Sequence, residues 1–285
     1  QPPPAAAKPT SFLDYMGQNA SQVNPREVEA QLRAAAPILL DDEHVAFAFK
    51  LGRDSTVLTS HRLLIVDVQG RTGKSVEYRS VLYSAVSAFA VRTAGSFDRD
   101  VEVTFSTTLA WMPEIEQDLR KDNADLFAIQ GWLAAMILEH NTAGPPPRPP
   151  QGYSPQSFLA WLGDNAAQAS PAEVEAQLRN ALPLLLGDES VLMAFKSGRD
   201  MTVLTNRRLL RVDRRGMTGK SVEYLSVPYR AIPAFGVQSA GSLSSDSQMR
   251  VYTTMGILTK AMLGQDLQKD KADIHAIQRK LMELC

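Results

Sequence analysis

From Val45 to Arg120 apolar and polar residues alternate with a period of two, in short runs rich in Val, Leu, Thr, Phe and Tyr that break at Gly52, Gly70 and Gly95. The pattern predicts seven strands, near 44–50, 54–60, 63–69, 74–79, 86–94, 100–107 and 115–121. On both sides of this block the period lengthens to that of a helix. Residues 11–20 read as a short amphipathic helix, and a second starts where Asn24 precedes Pro25 and Glu27. Asp122 and Asp125 then cap a helix running to about His140, with Trp132, Leu133, Met136 and Ile137 as its inner stripe.

The whole pattern then returns. With Ser11 laid on Ser157, a shift of 146, residues 11–108 match 157–254 without a gap, and more than half of the positions are identical. The second copy repeats the helix start as Ser170-Pro171-Ala-Glu173 and the closing cap as Asp270 and Asp273, with Ile277, Leu281 and Met282 as the inner face. Between the copies, Gly144 to Pro155 is too rich in proline for helix or sheet and reads as a stiff polyproline spacer. The chain therefore divides into a Pro-rich arm (1–10), a first domain (11–140), a Pro-rich linker (141–156) and a second domain (157–285). Each domain is expected to be a seven-stranded β-sandwich or barrel with N-terminal helices and a C-terminal capping helix.

Both copies carry the run FK-x-GRD-x-TVLT-x-x-RLL-x-VD-x-x-G-x-TGKSVEY-x-SV-x-Y. It resembles the bacterial pleckstrin-homology-like (YvbH-like) family. The resemblance implies a PH-like barrel closed by a helix, no assigned enzymatic activity, and single-copy members that assemble into rings. Two copies joined by Pro-rich segments, in a chain that starts at Gln1 as a processed product would, resemble the pyrenoid shell proteins of algal plastids. That likeness implies a chloroplast location and a curved shell around Rubisco, or contact with another plastid protein; a cytoplasmic location is the alternative.

Composition narrows the functions further. Thirty Lys and Arg against 31 Asp and Glu leave a net charge of −1, with no positive field to hold nucleic acid or to bind an anionic membrane strongly. The single cysteine, Cys285, and four histidines, none repeated at aligned positions, offer neither zinc-ligand spacing nor a paired nucleophile and base. Gly70-Arg-Thr-Gly-Lys-Ser75 ends like a phosphate-binding loop, and Gly216–Ser221 repeats it. The required first glycine, however, is Val68 or Arg214, and the strand-like Val-Glu-Tyr follows. No catalytic residue, cofactor or metal is expected, and Asp67 and Glu77 read as solvated strand carboxylates.

Two features could still carry binding. Lys50 with Arg53, and Lys196 with Arg199, fall at the first hairpin of each copy as weak anion sites, each beside an acid, Asp54 or Asp200. The copies also differ in charge, net −6 over 11–140 and net +3 over 157–285. Much of the difference lies on the third strand, where Ile65, Val68 and Gln69 correspond to Arg211, Arg214 and Arg215, extended by Arg207 and Arg208. Ile65, Arg207, Arg208, Arg211 and Arg215 are therefore the candidate interface residues for head-to-tail contact between molecules. The copies are expected to sit in a pseudo-twofold relation. The expected function is a non-enzymatic, self-assembling scaffold whose main partner is itself. The alternatives are a peripheral membrane or peptide adaptor and an accessory subunit of a larger plastid complex.

Overall fold

The structure is a computed structural model that describes residues 24–35, 38–51, 54–69, 75–94, 100–120, 125–139, 155–164, 170–197, 199–215, 221–239, 247–255, 261–267 and 273–285. The N-terminal arm, the expected helix at 11–20, most of the linker, Arg53 and both Thr-Gly-Lys turns lie outside these residues. The first copy contributes α1 (Pro25–Ala35), β1 (Val45–Leu51), β2 (Asp54–Thr59), β3 (Arg62–Gln69), β4 (Ser75–Leu82), β5 (Val86–Arg92), β6 (Asp100–Thr107), β7 (Glu114–Arg120) and α2 (Leu126–Glu139). The second contributes α3 (Pro155–Asp164), α4 (Pro171–Asn180), β8 (Val191–Ser197), β9 (Asp200–Thr205), β10 (Arg208–Arg215), β11 (Ser221–Pro228), β12 (Ala234–Gln238), β13 (Ser247–Tyr252), β14 (Met262–Leu267) and α5 (Ile274–Leu284).

The strands of the first copy fall within three residues of their expected bounds, because the alternation and the glycines that interrupt it are local features of the sequence. Helix starts follow their caps. Asn24 accepts from the Arg26 amide, and Ser170 and Glu173 form a reciprocal capping box with Pro171 in the first turn. Asp125 accepts from the Ala128 amide, and Asp273 from those of His275 and Ala276. The linker ends two residues earlier than expected, since α3 already begins at Pro155.

The sheets are ordered β1-β2-β3-β4, β7-β6-β5-β11-β10-β9-β8 and β12-β13-β14, all antiparallel. The two PH-like units therefore share one continuous sheet instead of standing as separate barrels. Along β3, Leu63 turns into the barrel with Phe47, Phe49 and Leu58. Leu64 and Val66 turn outward beneath Val28 and Leu32 of α1. In the second copy Leu209 faces its own barrel, while the outward Leu210 and Val212 join a core that also holds the interior of the first barrel.

Helix α2 links these two regions. Leu126, Phe127, Ile129, Trp132, Leu133, Met136 and Ile137 are all buried, so the expected single stripe is instead an apolar helix covered on every side. Its counterpart α5 is amphipathic: Ile277 and Leu281 are buried, but Met282 is 71% exposed and does not belong to the inner face.

Each copy is pinned by the same buried ion pair. Arg62 Nε and Nη2 donate to the two carboxylate oxygens of Glu43, at 2.8 and 2.9 Å. Arg208 repeats this on Glu189 at 2.9 and 3.0 Å. The Thr59 and Thr205 hydroxyls complete the carboxylate shells, and Ser80 and Ser226 accept from the guanidinium groups. Arg208 is fully buried, and with a further bond to Leu184 O four of its five N–H donors are used.

Replacing Arg208 with Met should cost about 3–5 kcal/mol, because Glu189 is left as a buried, unpaired carboxylate. A lowered urea midpoint would show it, and an unchanged midpoint would refute the role. Burial raises the Glu43 carboxyl pKa, but bonds from Arg62, Thr59 and the Leu40 amide outweigh it and hold the group below its ordinary 4.5. A lowered folded-state value means that this stabilisation is complete above the unfolded value and is lost as pH falls through the folded one. The urea midpoint should therefore decline below about pH 4.5, and Glu43→Gln should shallow that decline.

Candidate functional site

The feature that sets this chain apart is the seam between its copies. Strand β5 runs antiparallel to β11, with Arg92 opposite Glu223, Val91 opposite Tyr224, Ala90 opposite Leu225 and Phe89 opposite Ser226. One residue beyond β5, the Thr93 amide donates to Val222 O at 2.9 Å. The Val222 amide donates to Thr93 Oγ1 at 3.0 Å and the Ser221 hydroxyl to Thr93 O at 2.8 Å. The Val-Glu-Tyr that follows each Gly-Lys pair is thus strand, as its β-branched and aromatic composition requires, and not the helix of a nucleotide loop.

Side chains lock the seam. Arg230 donates to three carbonyls of the other copy, Ile137 O at 2.9 Å, Val86 O at 3.1 Å and Tyr83 O at 3.3 Å. The Tyr224 ring meets the edge of Phe127 with centroids 5.6 Å apart. Its hydroxyl is buried with no hydrogen-bond partner among the described residues, and burial pushes its pKa up. The Arg208 guanidinium lies 5.9 Å from the Phe89 ring centroid. None of Arg230, Tyr224 and Phe127 stands out in the sequence as a site; the available signal is that Arg230 aligns with Ser84 and that α2 is apolar all round.

The interface candidates have other duties. Arg208 is fully buried in its own copy and cannot reach an adjacent molecule. Arg211 Nε donates to Asp213 at 2.5 Å, and Nη1 donates to Gly264 O of β14 at 3.0 Å. Arg215 bonds Glu223 at 2.6 Å and lies 3.4 Å from Asp213. Ile65 is half-buried against the first barrel's core. The cause is strand parity, which puts Ile65, Arg211 and Arg215 on the same side as Leu63 and Leu209, toward the barrels. Arg207 pairs with Asp188 and approaches Glu139 of the first copy at 4.0 Å, so its charge serves the seam within one chain. Burial and the nearby Asp188 raise the Glu139 pKa.

The anion corners are unequal. Lys50 is only 5% exposed and burial lowers its pKa, whereas Lys196 is half-buried and Arg199 exposed. Beside the seam a hollow of about 260 Å³ is lined by Arg92, Glu102, Glu114, Glu116 and Glu223 with apolar neighbours. Arg92 pairs with Glu102 there. Carboxylates of Glu102, Glu116 and Asp118 lie within 4.8 Å of one another. This is an ordinary acidic strand surface, partly neutralised by Arg92.

Among the described residues β4 pairs only with β3 and β12 only with β13. A twofold relation would pair β4 with β12 as the image of β5 with β11. The expected pseudo-twofold is therefore replaced by a head-to-tail relation, in which the fifth strand of one copy meets the fourth strand of the next.

Comparison with known proteins finds the bacterial PH domain family over residues 11–137 and 160–285. The uncharacterized protein YjqA of Bacillus subtilis (strain 168) is 41% identical over 127 residues, 45% of this chain and 98% of that protein. A DUF1696 family protein with a pleckstrin-homology domain from Shewanella loihica PV-4 is 38% identical, covering 43% of this chain and 100% of its own, at a TM-score of 0.37. A pleckstrin homology domain from Shewanella amazonensis SB2B is 32% identical, covering 45% and 97%, at a TM-score of 0.32. Each relative has about the length of one copy.

Arg230→Met should remove the charged donors of three seam carbonyls and cost about 2–3 kcal/mol. Calorimetry should then split or broaden the unfolding transition, while a single unshifted transition would deny Arg230 this role.

Proposed function

The chain belongs to the bacterial PH domain family through both of its copies, and from that premise we propose that it is a non-enzymatic structural protein that self-assembles into a sheet- or tube-like shell. The observation that carries this reading is the β5–β11 seam, in which one PH-like unit already binds the next by main-chain pairing and a buried apolar face. A unit that joins its neighbour head to tail can repeat that contact, and heterologous contacts propagate until a ring closes or a lattice forms. Fusing two diverged units commits half of those contacts to one chain and leaves the other half for assembly. The resemblance to pyrenoid shell proteins suggests the setting, a chloroplast shell around Rubisco, with another plastid protein as the alternative partner.

The adaptor reading is less well supported. Lys50, the first cation of one anion corner, is buried, and the net charge of −1 gives no general attraction to anionic lipid. Electron microscopy of the purified chain at rising concentration should show sheets, tubes or large rings. A monomer at every concentration would overturn the scaffold reading. Vesicles containing phosphoinositide should pellet little more protein than a no-lipid control at physiological salt. Strong pelleting abolished by Lys196→Ala would favour the adaptor.

A further inference from the structure

The segment Ser75-Val-Glu-Tyr78 of β4 recurs letter for letter as Ser221-Val-Glu-Tyr224 of β11, and Ser80 and Val81 recur as Ser226 and Val227. In β11 this face is closed: Val222 is 1% exposed, and Tyr224 and Ser226 are fully buried. In β4 the same face lies open: Tyr78 is 36% exposed, Ser80 is exposed, and Leu82, which stands where β11 has Pro228, is 59% exposed. The tyrosine and the serine on this face are the same in both strands and differ in what covers them, and the cover of β11 is β5 with α2 from the other copy. The counterpart of β5 is β12, which among the described residues pairs only with β13 and so forms a sheet edge. Its five residues, Ala-Phe-Gly-Val-Gln, carry neither charge nor proline, the usual protection of an edge strand.

We propose that β12 of one molecule adds to β4 of a second copy of this chain, antiparallel, in the register of the internal seam. Carried over by the shift of 146, that register sets Glu77 opposite Gln238, Tyr78 opposite Val237, Arg79 opposite Gly236 and Ser80 opposite Phe235. The result is a second seven-stranded sheet, β14-β13-β12 continuing into β4-β3-β2-β1 of the neighbour, equivalent to the one already formed within the chain. The hydroxyls of Thr93 and Ser221 have counterparts in Ser239 and Ser75. Arg230 and Phe127 become Ser84 and His275. The contact between molecules thus keeps the main-chain ladder and loses the arginine clamp and the apolar helix face. It is weaker than the seam and depends on concentration. This inference rests on the self-assembly reading and names its interface.

The ladder parity supplies the test. Because the Thr93 amide bonds Val222 O, the pairs at Tyr224 and Ser226 exchange hydrogen bonds, and the pair Leu225 with Ala90 lies between them. Arg79 and Gly236 are the equivalent non-hydrogen-bonded pair, about 4.5 Å apart at Cα and within disulfide range. A Cβ on Gly236 meets no heavy atom within 4 Å. In a Cys285→Ser background, Arg79→Cys with Gly236→Cys should give a ladder of intermolecular disulfides on mild oxidation. Ser80→Cys with Gly236→Cys, whose side chains face opposite sides, should give none.

Separately, Ser226 exchanges hydrogen bonds with β5 on the side away from β10, and Ser80 holds the same place in the β3–β4 register, so its amide should be turned from β3 toward the edge. Ser80→Pro should therefore raise the concentration needed for sedimentable assembly at least tenfold while leaving the circular dichroism unchanged, and Ser80→Ala should assemble as the parent does. If the parent assembles but the first pair yields only monomer or cross-links no better than the second, or if Ser80→Pro assembles at the parent's threshold, the β4–β12 interface is wrong and the scaffold reading survives. If the parent never sediments, the scaffold reading itself fails and takes this interface with it.

Discussion

The architecture depends on the pairing of β5 with β11. A strand edge is a row of unmet donors and acceptors, and the chain satisfies one such edge by giving it the other copy. That ladder brings α2 over the outward face of β11, and an apolar helix becomes tolerable only because it is covered from both sides. At about 25 cal/mol per Å² of apolar surface, burying the second side of such a helix outweighs any single polar contact at the seam. The hydrogen bonds, Arg230 and Phe127 against Tyr224 then set the register of surfaces that burial holds together.

Divergence between the copies follows from this asymmetry. The first copy donates its fifth strand and closing helix, so α2 has become apolar on all sides, while α5 has kept a polar face. The second copy receives, so Arg230 stands where the first copy has Ser84. By contrast, the Glu43–Arg62 and Glu189–Arg208 pairs are the same in both, down to the threonine and serine that complete them. They hold each unit's own corner, a requirement that duplication did not alter. Arg207, Arg211 and Arg215 of the second copy are paired inside the chain, with Asp188, Asp213 and Glu223. At these three arginines the charges orient surfaces within the chain.

What the sequence determined by itself is whatever is local or periodic. Alternation located the strands of β1 to β7, reciprocal capping residues located the helix starts, and recurrence at a shift of 146 residues established two like units. Only the tertiary structure decided the rest. Which edge pairs with which is a contact between residues more than 120 positions apart, and nothing in Val86–Arg92 distinguishes a strand that pairs within its own unit from one that pairs with the next. Parity could show that Arg211 and Arg215 share a face with Asp213, but not that this face is turned inward to Gly264 and Glu223. The tyrosine of the shared Ser-Val-Glu-Tyr is core in β11 as Tyr224 and exposed in β4 as Tyr78. Burial is a property of what lies opposite, and a one-dimensional pattern does not contain its partner.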